Sequence, residues 1–326
     1  MIELLENTQA YRLLKKESEG NVCSHAYLLL FDDARNLRAA LKQFAKLLFF
    51  AEENDFDGSK QKRIEKLIDE ESYSDCLFYP AEGKKLAVED AENIREETLL
   101  SPIEGERKVF VLGDFAEANT QTQNKLLKLL EEPPKGVIFL LGATTAFPVL
   151  PTVLSRTKRL EILPFPIIEI ENALHRMYGT QYDNETLELC AAASGGVLGE
   201  AQNILEGGHY KNLVESAFNL CVLDDSKLPA IVRMVGETKH KKEFLSLLRL
   251  IFRDALLIKT ANKSCQKALL LKSEKEKTQK VAEKYSLSAL LYAQEALSKA
   301  ELEVQFNAVF PQCIEVCIAN IREKNK

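Results

Sequence analysis

The chain has 326 residues, of which 46% are hydrophobic and 28% charged, with a formal net charge of −6. This composition is typical of a globular protein with two or three domains, and the negative charge argues against a DNA-binding surface over the whole chain. The acidic, polar opening does not resemble a signal peptide and no apolar run has transmembrane length, so we expect a cytoplasmic protein with protein partners and no membrane association.

The first part of the chain carries the pattern of a helix followed by a buried strand and another helix. A helical pattern covers residues 7–16, and the apolar run at residues 24–31 predicts a strand. Apolar side chains at helical spacing follow over residues 36–50. The spacing favours a helix that packs one face on a sheet.

A strand–helix–strand unit begins at residue 109. The apolar run 109–112 is followed by a helical segment, residues 122–132, which ends because Pro133 disfavours helical geometry in the residue before it. Another apolar run, residues 137–141, completes the unit. Strand, helix and strand in this order predict an α/β domain with a parallel sheet.

After residue 166 the chain becomes helical, with no further strand pattern. Helices are predicted over residues 167–178, 184–194 and 198–205. The stretch 244–259 is apolar nearly all round, so we expect it to be buried in a bundle. In the last helical stretch, residues 303–321, Pro311 predicts a kink or a division.

Two motifs carry a resemblance to a known family. They are Leu-Leu-Lys-Leu-Leu-Glu-Glu-Pro-Pro at 126–134 and Leu-Pro-Thr-Val-Leu-Ser-Arg-Thr at 150–157. Together they resemble the clamp-loader ATPases of DNA replication, with Thr157 in place of the cysteine of the family's Ser-Arg-Cys motif. Within the family, the chain resembles most the bacterial DNA polymerase III subunits that do not hydrolyse ATP.

The resemblance implies three domains. An AAA+ domain with a P-loop-type parallel sheet would cover residues 1–165, a small helical lid residues 166–210, and an all-α collar, through which five subunits form a ring, residues 211–326. Residues 306–308 resemble an asparagine-bearing motif near the end of such collars.

The phosphate-binding loop of the family, Gly-x-x-x-x-Gly-Lys-Ser/Thr, is not retained. An ungapped count places its four fixed positions on Phe31, Asn36, Leu37 and Arg38. Without the glycines the backbone does not form the amide nest that cradles phosphates, and without the lysine the phosphate charge is not neutralised. Asp32 and Asp33 would add negative charge at the same place, so we expect no ATP binding in this loop.

Other nucleotide contacts of the family are also replaced. The carboxylate that holds Mg²⁺ corresponds to Gly113, which is followed by the single carboxylate of Asp114. Thr144 and Thr145 occupy the region of the first sensor, and Gly199 stands where the second sensor has an arginine. We therefore expect a degenerate site with no nucleotide cofactor and no ATPase activity of its own.

Ser155 and Arg156 are retained although the chain's own site is degenerate. In the family this arginine reaches across the subunit interface to the ATP of a neighbour, where a planar guanidinium can bind γ-phosphate oxygens. Arginine fingers of this kind contribute about 10³–10⁵ in rate. We expect Arg156, with Ser155, to act as an arginine finger in trans.

The cysteines do not form a recognisable metal site. Seven cysteines occur without a Cys-x-x-Cys pair, and Cys313 and Cys317 share a helix face without a further ligand nearby in sequence. Many clamp-loader relatives carry a four-cysteine zinc module, but residues 49–80 contain only Cys76. We expect reduced thiols and no metal.

The resemblance implies specific partners and leaves alternative functions open. The partners would be the ATP-hydrolysing tau/gamma subunits and the delta subunit, with the sliding clamp and primer–template DNA bound through the complex. An ATP-hydrolysing subunit would need the missing lysine and acidic pair. A delta-type clamp-opening subunit generally lacks the Ser-Arg motif, and a diverged AAA+ scaffold would retain the fold with another role.

Overall fold

A computed structural model describes residues 1–49, 58–208, 210–223, 228–236, 238, 240–260, 268–306 and 308–325. Two residues of predicted features lie outside these ranges. They are Phe50, at the end of the helix predicted over residues 36–50, and Asn307, in the asparagine-bearing motif at residues 306–308. The chain divides into two compact units, Met1–Pro164 and Phe165–Lys326.

The first unit contains a parallel sheet of five strands in the order β2-β3-β4-β1-β5. The strands are β1 (Ala26–Phe31), β2 (Cys76–Tyr79), β3 (Lys108–Leu112), β4 (Val137–Ala143) and β5 (Lys158–Ile162). β3 and β4 are buried along their whole length, as expected for strands covered on both faces. The prediction of a parallel α/β sheet is confirmed.

Seven α-helices lie in the described part of the first unit, and they include connections between these strands. They are α1 (Ile2–Glu6), α2 (Gln9–Glu19), α3 (Leu37–Phe49), α4 (Gly58–Asp69), α5 (Val88–Glu97), α6 (Thr120–Glu131) and α7 (Pro151–Leu154). The side chain of Asn119 caps α6 by accepting a hydrogen bond from the backbone N–H of Thr122 at 2.8 Å. The helix ends at the residue before Glu132, ahead of Pro133, as the sequence predicts.

The register of the sheet defines two opposite edges. Leu30 of β1 pairs with Ala143 and Leu112 of β3 pairs with Leu141, so the carboxyl ends of β1, β3 and β4 lie together. We call this side the carboxyl edge and the opposite side the amino edge. α6 begins after β3 and returns the chain to the start of β4, over a length of about 18 Å.

The second unit is helical throughout the part that the structure describes. Its helices are α8 (Ile167–Tyr178), α9 (Asn184–Ala193), α10 (Leu198–Gly207), α11 (Tyr210–Val222), α12 (Leu228–Gly236), α13 (Lys241–Thr260), α14 (Lys275–Lys284), α15 (Leu287–Gln305) and α16 (Phe310–Glu323). Pro311 lies in the first turn of α16, where its missing N–H is tolerated, so the last predicted helical stretch is divided. The division of this unit into lid and collar at residue 210 stays a prediction.

Among the described residues, no helix is both long enough and apolar enough to cross a membrane. Likewise, no group of three or more His, Cys, Asp or Glu side chains within them is arranged to hold a metal ion.

Candidate functional site

The carboxyl edge brings together the residues that align with nucleotide contacts of the family. Phe31 ends β1, Gly113 and Asp114 follow β3, and Thr144 and Thr145 follow β4. Ligands of open α/β sheets bind at this edge of the strands. The sequence positions are therefore gathered where a nucleotide would lie. Gly199 lies in the first turn of α10, in the second unit.

The loop between β1 and α3 carries its own carboxylate at the start of the helix. Asp33 is buried, and its Oδ1 accepts a hydrogen bond from the backbone N–H of Asn36 at 3.0 Å, while Oδ2 accepts from Asn36 Nδ2 at 2.8 Å. Leu37, at the lysine position of the motif, is the first residue of α3 and is also buried. A helix N-terminus attracts anions, and here the chain supplies the anion itself.

Arg38, at the Ser/Thr position of the phosphate loop, is bound by groups from neighbouring segments. Its Nε lies 2.6 Å from Glu71 Oε1, and its Nη1 donates to the carbonyl oxygen of Pro80 at 3.1 Å. Lys42 Nζ lies 2.9 Å from the same oxygen of Glu71. Burial alone would raise the pKa of Glu71, but hydrogen bonds from Arg38 and Lys42 outweigh it and hold the pKa below its ordinary value.

The guanidinium of Arg38 also approaches Gly113. A Cβ atom placed on Gly113 would stand 3.6 Å from Arg38 Nη1. In the resembling ATPases, the residues at these two positions hold Mg²⁺ together. Here one of them has no side chain and the other is a cation, which would repel Mg²⁺ instead of coordinating it. The residues at the carboxyl edge do not fit a magnesium–nucleotide complex.

Asp114 is the carboxylate that remains at the end of β3. Its backbone has a positive φ of 20°, and its Oδ1 is buried without a hydrogen-bond partner among the described residues. Burial raises the pKa of Asp114, and the charge of Glu117 raises it further, against hydrogen bonds from the backbone N–H groups of Thr144 and Ala116. The side chain is therefore a partly buried carboxylate that backbone N–H groups hold at the end of β3.

Arg156 lies two residues after the end of α7 and makes four hydrogen bonds. Its Nε donates to Glu131 Oε1 at 2.8 Å, and its Nη2 donates to the same oxygen. Nη1 donates to the carbonyl oxygen of Thr152 at 2.9 Å and to Ser155 Oγ at 3.1 Å. One third of the Arg156 side chain remains exposed to solvent. The guanidinium is held at the protein surface in a defined orientation.

This arginine lies at the amino edge, away from the residues described above. Lys158, two residues after Arg156, pairs with Tyr27 near the start of β1. On the other side, the carbonyl oxygen of Leu130, next to Glu131, lies 3.0 Å from His25 Nε2, just before β1. Because α6 spans about 18 Å between the two edges, Arg156 lies too far from the carboxyl edge to reach a ligand there.

Thr157, which replaces the cysteine of the family motif, is packed and satisfied. Its side chain is largely buried and its hydroxyl donates to the carbonyl oxygen of Val153 at 3.1 Å. Hydroxyl-to-carbonyl bonds of this kind satisfy a buried polar group at the end of a short helix. The substitution therefore leaves no unpaired polar atom beside Arg156.

Two of these contacts involve residues that the sequence did not single out as functional. Glu71 and Glu131 bind the two arginines from segments distant in sequence. Glu131 belongs to the motif at 126–134, where two adjacent glutamates stand at the end of a helix. An acidic residue in the last turn of a helix interacts unfavourably with the helix dipole. This unfavourable position is the sequence feature that could have identified Glu131 as a functional residue.

Comparisons with known proteins find similarity to subunits of DNA polymerase III. A family model described as "DNA polymerase III, delta subunit" matches residues 6–166. The tau subunit of DNA polymerase III from Bacillus subtilis is 26% identical over 186 residues, which are 56% of this chain and 33% of that protein. The tau subunit from Escherichia coli is 26% identical over 168 residues, 49% of this chain and 26% of that protein. The matched region thus spans a third or less of these relatives.

A solved structure of a DNA polymerase III gamma subunit-related protein from Thermotoga maritima is also similar. It covers 98% of this chain and 100% of its own, with 18% sequence identity and a TM-score of 0.42.

The sheet order and the helical second unit define an AAA+ protein, an α/β class with a helical carboxyl-terminal region. The chain is similar to subunits of DNA polymerase III, the description that the matching model and the relatives share.

Proposed function

We propose that this chain is a non-hydrolysing subunit of the delta-prime type. It assembles in the cytoplasm with tau/gamma and delta subunits, and the complex loads the sliding clamp onto primed DNA. Its own carboxyl edge binds no nucleotide, and Arg156 acts in trans at the ATP site of the adjacent tau/gamma subunit.

The charges at the carboxyl edge support the first part of this proposal. Asp33 places a carboxylate at the start of α3, and Arg38 places a guanidinium beside Gly113. A bound nucleotide brings anionic phosphates and a divalent cation, and each would meet a fixed charge of its own sign. The expected consequence is an isolated chain without measurable ATPase activity.

The position of Arg156 is the single observation that carries the second part. The side chain is partly exposed at the amino edge, about the length of α6 away from the chain's own carboxyl edge. A permanently charged group that is fixed at the surface and unable to serve its own site is suited to a site on another subunit. The retained Ser155-Arg156 pair has the same implication.

A reconstituted loader tests this proposal directly. We expect Arg156→Ala to lower the ATPase rate stimulated by clamp and primed DNA, because the adjacent site loses about 10³–10⁵ in rate. The total ATPase rate of the loader should fall by the fraction that the adjacent tau/gamma site contributes to it. Size-exclusion chromatography must show that the variant still assembles.

The matched control is Arg159→Ala, which removes an exposed arginine three residues along the chain, on β5. We expect this variant to assemble and to hydrolyse ATP at the normal rate. If Arg156→Ala also leaves the rate unchanged in an assembled loader, the proposal of a finger in trans is wrong.

A delta-type subunit is the second candidate, because the matching family model carries that description. A delta-type chain would bind and open the sliding clamp by itself, whereas the proposed subunit acts on the clamp only within the complex. Retention of purified clamp by the immobilised chain alone would favour the delta-type alternative.

A further inference from the structure

We infer that Glu131 is the positioning residue of Arg156, holding one side of its guanidinium so that the other can face a neighbour's phosphate. This inference rests on the proposed function, since it describes how the same arginine is presented.

The hydrogen bonds of Arg156 divide the guanidinium into two sides. Nε–H and one N–H of Nη2 donate to Glu131 Oε1, which is charged. The two N–H groups of Nη1 lie against neutral oxygens, the Thr152 carbonyl and Ser155 Oγ. The remaining N–H of Nη2 has no partner within the described ranges. The five donors are thus distributed as two on a carboxylate, two on neutral acceptors and one free.

This distribution determines which bonds a phosphate would exchange. Hydrogen bonds between charged groups are roughly twice as strong as neutral ones. An incoming γ-phosphate would therefore replace the neutral acceptors of Nη1 and take the free N–H of Nη2. Those two nitrogens present parallel N–H groups, the geometry that binds phosphate in a bidentate manner. The bonds to Glu131 would remain.

Glu131 is carried by a rigid element. It is the last residue of α6, whose Leu126 and Leu130 are almost completely buried. The carbonyl oxygen of Leu130 is also bound to His25 Nε2 at 3.0 Å. A carboxylate fixed on a packed helix restricts the rotamers of a long side chain before the partner arrives, and this lowers the entropy lost on binding.

The location of Glu131 also opposes a purely local explanation. A carboxylate in the last turn of a helix interacts unfavourably with the helix dipole. Residues that break a local preference without a local gain are found at functional or strained sites. Here the gain is the fixed orientation of Arg156.

The experiment uses the complete reconstituted loader and compares Glu131→Gln with Glu132→Gln. Glu132 is the adjacent, exposed glutamate of the same motif. We measure kcat and KM for ATP with clamp and primed DNA. The difference between the normal rate and the rate of Arg156→Ala is the part of the ATPase rate that depends on Arg156. We expect Glu131→Gln to lower this part about two- to fivefold in kcat, the range of an exposed ion pair, with KM and assembly unchanged. Glu132→Gln should have no effect.

A double-mutant cycle separates positioning from a general structural role. In an Arg156→Ala background, Glu131→Gln should produce no further decrease, because there is no guanidinium to orient. An equal decrease in both backgrounds, an unchanged rate or a faster rate would overturn the inference. If Arg156→Ala itself has no effect, the proposed function fails instead, so the two failures are distinguishable.

Discussion

Arg38 Nε lies 2.6 Å from Glu71 Oε1, and this contact joins the first turn of α3 to the segment that leads to β2. The pair is about four-fifths buried on each side. It is therefore a structural ion pair at the edge where the resembling ATPases bind nucleotide, and its contribution to stability can be measured.

Arg38→Met should lower the free energy of unfolding by about 1–3 kcal/mol, because Glu71 loses a partner while remaining largely buried. The chain has no tryptophan, so unfolding in urea is best followed by far-UV circular dichroism. Arg63→Met is the matched control, since its partner Glu104 also lies in another segment but Arg63 is mostly exposed. The control should show no measurable change. Equal stability of Arg38→Met and the natural chain would contradict the structural role.

The stability gained through Glu71 should depend on pH in one direction. The pKa of this carboxyl is below its ordinary value of 4.5 in the folded protein. Its stabilising effect is therefore fully present above the unfolded pKa and is lost as the pH falls through the lower, folded pKa. We expect the difference in unfolding free energy between the natural chain and Glu71→Gln to be constant from about pH 7 to about pH 5 and to close below about pH 4. If the difference in unfolding free energy instead increases as the pH falls, the pKa of Glu71 is not lowered by folding.

Gln123 fixes the loop that precedes α7. Its side chain is 1% exposed, donates to the carbonyl oxygens of Ala118 at 3.0 Å and Pro148 at 3.1 Å, and accepts from the backbone N–H of Leu150 at 2.9 Å. Gln123→Ala leaves these groups without their partner and should cost about 1–3 kcal/mol.

Hydrogen exchange provides the specific measurement for this loop. In Gln123→Ala the amide of Leu150 should exchange much faster than in the natural chain, because it loses its acceptor. Gln121→Ala removes an exposed glutamine from the same helix and should change neither the exchange nor the melting temperature. If the amide of Leu150 exchanges equally slowly in Gln123→Ala, Gln123 does not hold this loop.

Gly142 allows close contact between β4 and α3. A Cβ atom at this position would lie 2.6 Å from Leu41 Cδ1, and Leu41 is completely buried. Gly142→Ala should therefore destabilise the protein by about 1–3 kcal/mol. Gly105→Ala, where an added Cβ meets no atom within 4 Å, is the control.

The same contact predicts non-additive effects. Leu41→Ala alone should cost about 2–5 kcal/mol through the cavity that it leaves. Combined with Gly142→Ala, the total should be smaller than the sum, because the shortened side chain makes room for the new methyl group. Additive losses in thermal unfolding would mean that Leu41 is not the obstructing side chain.

The sequence predicted the central strands of the sheet and much of the helical part, for a physical reason. β1, β3 and β4 are buried on both faces and appear as continuous apolar runs. β2 and β5 have no counterpart among the predicted strands. β2 has only four residues, and in β5 the exposed Lys158, Arg159 and Glu161 leave too few apolar positions for a buried-strand pattern.

The candidate site was predictable only in part. Motif spacing placed Arg156 and the degenerate positions along the chain, but not the groups that bind them. Arg38 meets Glu71 and Arg156 meets Glu131 through tertiary folding, and no local periodicity links either pair. The opposite placement of the two arginines on the sheet also follows from strand register rather than from sequence spacing.

The charges at the carboxyl edge have a consequence for how this unit responds to the cell's energy state. A ligand stabilises a fold in proportion to the logarithm of its free concentration. Asp33 and Arg38 are covalently part of the chain, so their effective concentration does not vary. We therefore expect the melting temperature of the chain to be the same in starved and well-fed cells, while that of a nucleotide-binding relative rises and falls with the ATP supply.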